Sequence, residues 1–357
     1  MKRRSKYRVH ALLLFALLLG LAGCSNPLSR FVTPERPRAN GEIVVYTAMD
    51  EGESTAYLRL FRAQYPDIQI NLVTLTNPEI LDHLLAERDA PEADVIWGAS
   101  STFITLLEWY GILAPYAPER VEQVFLQFRD SNVPPYWVGF GASMSAFCVN
   151  TSKLEELGLP KPESWSNLFD PVYTGQIASP KPNTSSLGYM ITEVILELYG
   201  EIQGWENLDA LDKNVKVYTD SSDEPCQLAA DGEVAIGVSY DLAAIQMAAT
   251  GQPVEAVFAT DGAGWEIEAN ALIRKDEVKE ASQIFLDWAI SEPAMQVYGE
   301  SRIILAMPVE GHFPPPGVPE QPLSLIYDKN FPWASANHDR IIIEWLARYE
   351  NRLEESE

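Results

Sequence analysis

The sequence predicts an α/β protein built as two lobes, and three observations lead there. Short apolar, β-branched runs alternate with segments of helical period over residues 43–111 and again over 185–251. Alternation of this kind means parallel strands covered by helices on both faces. Two stretches, 136–150 and 254–275, carry glycines, lack a helical period and read as strands crossing from one lobe to the other. Finally, 357 residues are too many for one small core. Lobe 1 is expected to take residues 41–140 and 258–310, and lobe 2 residues 141–257 and 311–357.

The elements follow in order. Ile43–Tyr46 is a buried strand. Residues 54–65 place Tyr57, Leu58, Phe61 and Tyr65 at helical spacing. "IQINLVTL" (68–75) is the second strand. "NPEILDHLLAERDAP" is a helix with Asn77 as N-cap, Pro78 at its first position and Glu79 in its first turn. "ADVIWGAS" (93–100) is the third strand, and "STFITLLEWYG" a helix with a Ser or Thr cap and a Gly stop. After the first crossing and a Pro/Gly-dense stretch comes "SSLGYMITEVILELYGE", a helix with Met190, Val194, Ile195 and Leu198 on one face. "NVKVYTD", "CQLAADGE", "VAIGVSYD" and "LAAIQMAATG" repeat the alternation. Beyond the second crossing lie a helix over 277–291, "PAMQVYGE", a rigid surface turn at 311–320 and an amphipathic closing helix, "DRIIIEWLARYENRLEE".

The N-terminus sets the compartment. Lys2, Arg3, Arg4, Lys6 and Arg8 precede the apolar run Ala11–Ala22. That run is about a dozen residues, and a bilayer core needs about 20. A basic start, an apolar middle and small residues before a cleavage point read as a secretory signal over residues 1–23. It ends in Leu21-Ala22-Gly23-Cys24, which resembles the bacterial lipoprotein box, where the cysteine becomes the lipidated first residue of the mature chain. Residues 24–40 have three prolines and no apolar periodicity, and read as a tether from that anchor.

Losing residues 1–23 removes five Lys/Arg and takes the formal net charge from −25 to −30. Such a surface is the opposite of what a nucleic-acid binder needs. Besides Cys24 the chain has Cys148 and Cys226. Outside the cytoplasm this pair can oxidise; two separate buried thiols are the alternative. No GxSxG, HExxH, paired Cys/His spacing or glycine-rich phosphate loop occurs. A secreted hydrolase is therefore the remote alternative, with a carboxylate pair of the glycosidase type left open on counting alone. No cofactor or resident metal is expected.

"VVYTA", "ADVIWGASS", "ESWSNLFDPVYTGQIASPKP", "GEVAIGVSYD" and "GWEIEANALIRK" resemble the extracellular solute-binding proteins of ABC importers, from about Glu42 to Tyr349. "PNTSSLGY", "GEIQGWENLDALDKNV", "YTDSSDEPCQLAADGEVAIGVSYD" and "NFPWASANHDRIIIEWLARY" are similar to the 2-aminoethylphosphonate-binding group, whose cysteines fall at similar places. The resemblance implies a two-lobed α/β fold of the type II periplasmic-binding-protein kind, with hinge crossovers near 136–150 and 254–262 and ligand in the interlobe cleft. It implies a monomer that delivers a small molecule to a membrane permease. Ferric iron, sugar phosphates and polyamines are the alternative ligands. Iron binders of the family often use two neighbouring tyrosines, and here Tyr240 is followed by Asp241.

A phosphonate needs donors, and helix N-termini with Ser and Thr hydroxyls supply them. Three places do so: Thr47 at the end of the first strand; Ser100, Ser101 and Thr102; and Asn183, Thr184, Ser185 and Ser186. Tyr240 and Ser239 join them on the resemblance. An ammonium needs carboxylates and an aromatic face, for which the candidates are Asp50, Glu51, Glu266, Glu268 and Trp265. None of the anion-binding clusters contains Lys or Arg, which suits a zwitterion more than a free polyanion.

Overall fold

In the computed structural model the described residues are 40–311 and 316–354, the last four by backbone alone. The signal, Cys24, the tether and residues 312–315 of the proline-rich turn lie outside them. The strands are β1 (Gly41–Thr47), β2 (Ile68–Thr74), β3 (Val95–Ser100), β4 (Leu113–Ala114), β5 (Trp137–Asn150), β6 (Ile177–Pro180), β7 (Val215–Thr219), β8 (Ile236–Tyr240), β9 (Val254–Val257), β10 (Trp265–Ile273) and β11 (Ile304–Leu305). The helices are α1 (Glu51–Gln64), α2 (Asn77–Ala86), α3 (Ser101–Trp109), α4 (Thr151–Leu157), α5 (Trp165–Leu168), α6 (Ser186–Tyr199), α7 (Glu201–Asn214), α8 (Glu224–Ala230), α9 (Asp241–Ala249), α10 (Glu280–Ala289), α11 (Glu292–Tyr298) and α12 (Phe331–Glu354).

Two parallel sets, β2-β1-β3 and β8-β6-β7, are joined through β10 and β5. The joining strand is β5. Its residues Trp137–Met144 pair with β10, and Ser145–Val149 pair with β8. Strand β9 pairs with the second half of β5 and β10 with the first half, so the chain recrosses between Val257 and Trp265. Both crossings run antiparallel to their neighbours, while the strands of the two alternating regions pair parallel within each set as the alternation predicts. The reason is connectivity: a strand that passes between lobes does not return through a covering helix, so nothing forces it parallel.

Aromatic side chains of both lobes belong to one continuous core. In lobe 1, Trp97 packs edge-on to Phe285 at 5.4 Å, and Phe61 meets Trp288 at 5.0 Å. In lobe 2, Phe147 meets Trp165 at 5.0 Å, and the Trp165 indole donates to the Gly262 carbonyl at 2.9 Å. A disulfide joins Cys148 on β5 to Cys226 on α8, so the two-thiol alternative does not hold.

Helix starts differ from expectation in two places. Helix α1 begins at Glu51, ahead of its apolar face, because Glu51 and Glu53 suit the positive end of the helix. The cap of α2 is Thr76, not Asn77: its hydroxyl accepts the Glu79 N–H and the Glu79 carboxylate accepts the Thr76 N–H. That releases the Asn77 side chain for other work.

Asp94 ties lobe 1 together. Its carboxylate accepts the Val44 N–H at 2.9 Å, Lys275 Nζ at 2.8 Å and Lys279 Nζ at 2.7 Å. Burial alone would raise this carboxyl, but the two lysines and the amide outweigh burial and hold it below the usual range. A depressed folded pKa adds stability above the unfolded value of about 3.9, lost as pH falls through the folded value. Asp94→Asn should therefore cost about 2 kcal/mol at pH 7, the lysines being partly solvated. Urea melts from pH 7 to pH 3 should show wild type losing more of its stability below about pH 4 than the variant.

Candidate ligand-binding cleft

Four strand-to-helix turns carry the candidate residues: β1 to α1, β3 to α3, β6 to α6 and β8 to α9. Ligands of open α/β sheets bind at such carboxyl ends of strands. Helix α3 follows β3 and α9 follows β8 with no residue between, so Ser100 and Tyr240 end a strand and cap a helix at once. Helix α6 is drawn tightly onto the end of β6. A Cβ on Gly188 would lie 2.3 Å from the Lys181 carbonyl oxygen.

On the lobe 2 side, Ser185 Oγ caps α6 by accepting the Gly188 N–H and shares a 2.8 Å hydrogen bond with Ser222 Oγ. Ser239 Oγ donates to the Ser222 carbonyl. Asn183 and Thr184 lie in the exposed turn before α6, and Lys181 Nζ pairs with Asp220 at 3.0 Å. The half-buried Tyr240 hydroxyl bonds to no group among the described residues. Burial, then Glu268, Glu266, Asp241 and Asp223, raise its pKa, so it stays protonated and a donor.

On the lobe 1 side, Thr47 Oγ1 accepts the Met49 N–H, leaving its own hydrogen to donate. The Ser100 N–H goes to Asn77 Oδ1. Ser101 and Thr102 are committed elsewhere than expected. Both hydroxyls donate to the Glu266 carboxylate at 2.6 Å, and the Thr102 N–H reaches it at 3.3 Å. Glu266 thus occupies the N-terminus of α3, because β10 runs beside β3 and brings it there.

The remaining candidates also change role. Glu266 and Glu268 do share a face of β10, but basic residues answer both. Lys329 Nζ lies 2.9 Å from Glu266 and 3.0 Å from Glu193. Arg302 bonds to Glu53 and Glu268, each at 2.6 Å, while Ser143 Oγ donates to Glu268 at 3.0 Å. Both cations arrive from chain segments remote in sequence, which local inspection of a motif does not reveal. Trp265 is on the opposite face, packed on Phe331 at 5.2 Å and donating its indole N–H to the Tyr327 carbonyl, so its ring serves the core.

Burial pushes the Glu193 carboxyl up to about 7 against the pull of Lys329. Burial would raise Glu266 as well, but Lys329 and the Ser101 and Thr102 hydroxyls hold it below the usual range. Asp223, at the head of α8, is not singled out by the sequence. It makes no ion pair among the described residues, and burial followed by the charge of Asp50 raises its pKa. The negative charge of Asp50 thus acts on Asp223.

The family model for bacterial extracellular solute-binding proteins matches residues 90–338, more than half of the chain. The chain belongs to that family. This solute-binding protein is also similar to a probable ABC transporter periplasmic-binding protein of Sinorhizobium fredii, 26% identical over 64% of each chain. Among solved structures it resembles the periplasmic binding protein AfuA of Actinobacillus pleuropneumoniae with exogenous fructose-6-phosphate bound. That match has TM-score 0.75 and 22% identity, covering 87% of this chain and 98% of the other. It also resembles iron-bound HitA of Pseudomonas aeruginosa, with TM-score 0.73 and 17% identity over 85% and 99% of the two chains. These likenesses support the two-lobed α/β fold. Among the described residues no helix of the solute-binding protein is long and apolar enough to cross a membrane.

Proposed function

We propose that this solute-binding protein serves an ABC importer outside the cytoplasm, anchored through Cys24, and captures a small zwitterion with a tetrahedral anionic head such as 2-aminoethylphosphonate. One observation carries the reading. The donors facing the cleft are neutral, while the basic side chains beside it, Lys329, Arg302 and Lys181, are each paired with carboxylates. A cleft of this kind suits one anionic group on helix N-termini and Tyr240, with the ammonium answered by Asp50 and Asp223. A ligand with several uncompensated negative charges gains no cation here and meets several carboxylates. Among the described residues no three His, Cys, Asp or Glu side chains gather as a set for a metal ion.

Calorimetry on the purified protein with 2-aminoethylphosphonate, ethylphosphonate, phosphate, fructose 6-phosphate and ferric citrate tests this. The aminophosphonate should bind most tightly and ethylphosphonate more weakly. Preference for fructose 6-phosphate or ferric citrate would replace the reading. Tyr240→Phe should weaken aminophosphonate binding by about 1–3 kcal/mol if the hydroxyl donates to a charged oxygen; an unchanged affinity would remove Tyr240 from the site.

A further inference from the structure

Released from capping α2, the half-buried Asn77 side chain touches both lobes. Its Oδ1 accepts the Ser100 N–H at 2.8 Å, at the N-terminus of α3. Its Nδ2 donates to Ser186 Oγ at 3.3 Å, at the first residue of α6. A backbone N–H requires an acceptor, so the bond to Ser100 fixes which end of the amide faces which lobe. A hydroxyl that accepts turns its own hydrogen away from the donor. Ser186 donates to no group among the described residues, so that hydrogen is available at the start of α6 beside the other anion donors.

We propose that Asn77 is a positioning residue that couples lobe closure to ligand capture, bridging the N-termini of α3 and α6 and aiming the Ser186 hydroxyl at the ligand's anion. The Asn77–Ser186 bond exists only when the lobes meet. Its contribution therefore falls on the closed form alone, which is what a ligand must favour to drive closure. The anion half of this inference rests on the proposed function; the closure half does not.

Two variants test it on the full protein. Asn77→Ala removes the bridge, and Asn77→Asp keeps an acceptor for Ser100 but captures the Ser186 hydrogen and places a charge beside the anion. An aspartate in the first turn of a helix is favourable, so a purely structural role for Asn77 predicts an unimpaired Asn77→Asp protein. The inference predicts 2-aminoethylphosphonate binding weakened about 10-fold in Asn77→Ala and roughly 100-fold in Asn77→Asp, with the Asn77→Asp melting temperature at or above wild type. Small-angle scattering without ligand should show a larger radius for Asn77→Ala than for wild type. Wild-type affinity in Asn77→Asp, or an unchanged scattering radius in Asn77→Ala, overturns the inference. If the wild-type protein binds none of the anions, the ligand reading and the anion half fall together. Scattering then decides the closure half: a larger radius upholds it and an unchanged one rejects it.

Discussion

Replacing Lys329 with methionine is expected to lower the unfolding free energy by roughly 3–5 kcal/mol at pH 7.5, the cost of leaving buried charge without its partner. The Lys329 side chain is fully buried, and Glu193 is 1% exposed. Its ammonium also donates to the Trp265 carbonyl at 3.2 Å and lies 5.0 Å from the Phe331 ring. Without it, the carboxylates of Glu193 on α6 and Glu266 on β10 face each other unneutralised.

The joint at the start of α12 would loosen with it. Nearby bonds depend on that placement, among them Tyr327 to Glu193 at 2.5 Å and Ser335 Oγ to the Thr102 carbonyl at 2.8 Å. The deficit should depend on pH with a definite sign. An acid whose folded pKa is raised binds more protons in the folded state, so stability falls as pH rises between the unfolded and folded values. Glu193 already stands at about 7 with the lysine present. The variant should therefore recover part of its stability at pH 5.5. Urea denaturation at both pH values measures this, and wild-type stability at pH 7.5 would show that the lysine is not neutralising the pair.

Replacing Gly188 with valine is expected to destabilise the fold by about 3 kcal/mol, as overpacking does, and to weaken ligand binding about 100-fold by displacing the donors of α6. The obstacle is space and not conformation. The added Cβ would meet the Lys181 carbonyl oxygen at 2.3 Å, the Lys181 carbonyl carbon at 2.4 Å and the Pro180 carbonyl oxygen at 2.7 Å. All three are backbone atoms at the end of β6, so the helix must move. Ser185 and Ser186 move with it. Gly52 is the control, since a Cβ there meets nothing within 4 Å. Gly52→Ala in α1 should be neutral or stabilising by up to about 1 kcal/mol from helix propensity. Calorimetry and urea melts on both variants check the contrast, and normal binding by Gly188→Val would detach the start of α6 from the site.

The periodicity of the chain carries much of this architecture. Strands β1, β2 and β3 follow from short apolar, β-branched runs, and the apolar face of α6 from a spacing of 3.6 residues. The long glycine-bearing stretch that became β5 is legible as a crossing because it suits neither a loop nor a helix. The direction of the crossing strands is not legible, since an apolar run without a covering helix reads the same in parallel and antiparallel pairing. The Thr76–Glu79 capping pair stands in the sequence at the spacing the motif requires, and Asn77 as cap is one residue late. Alternation also places Glu266 and Glu268 on one face and, by the same rule, Trp265 on the other. The charge balance of the cleft is not local at all. Glu53 and Arg302 are 249 positions apart, and Lys329 reaches back 63 positions to Glu266. No motif of short span contains both members of such a pair.

A crystal structure of the protein grown with 2-aminoethylphosphonate tests the central claim most directly. The account predicts phosphonate oxygens within about 3.2 Å of the N–H groups at the starts of α6 and α9 and of the Tyr240 hydroxyl. It also predicts the ammonium beside Asp50 and Asp223, with the Lys329 and Arg302 ion pairs intact. A phosphonate seated on Lys329 or Arg302 after breaking those pairs, or bound outside the cleft, would contradict it.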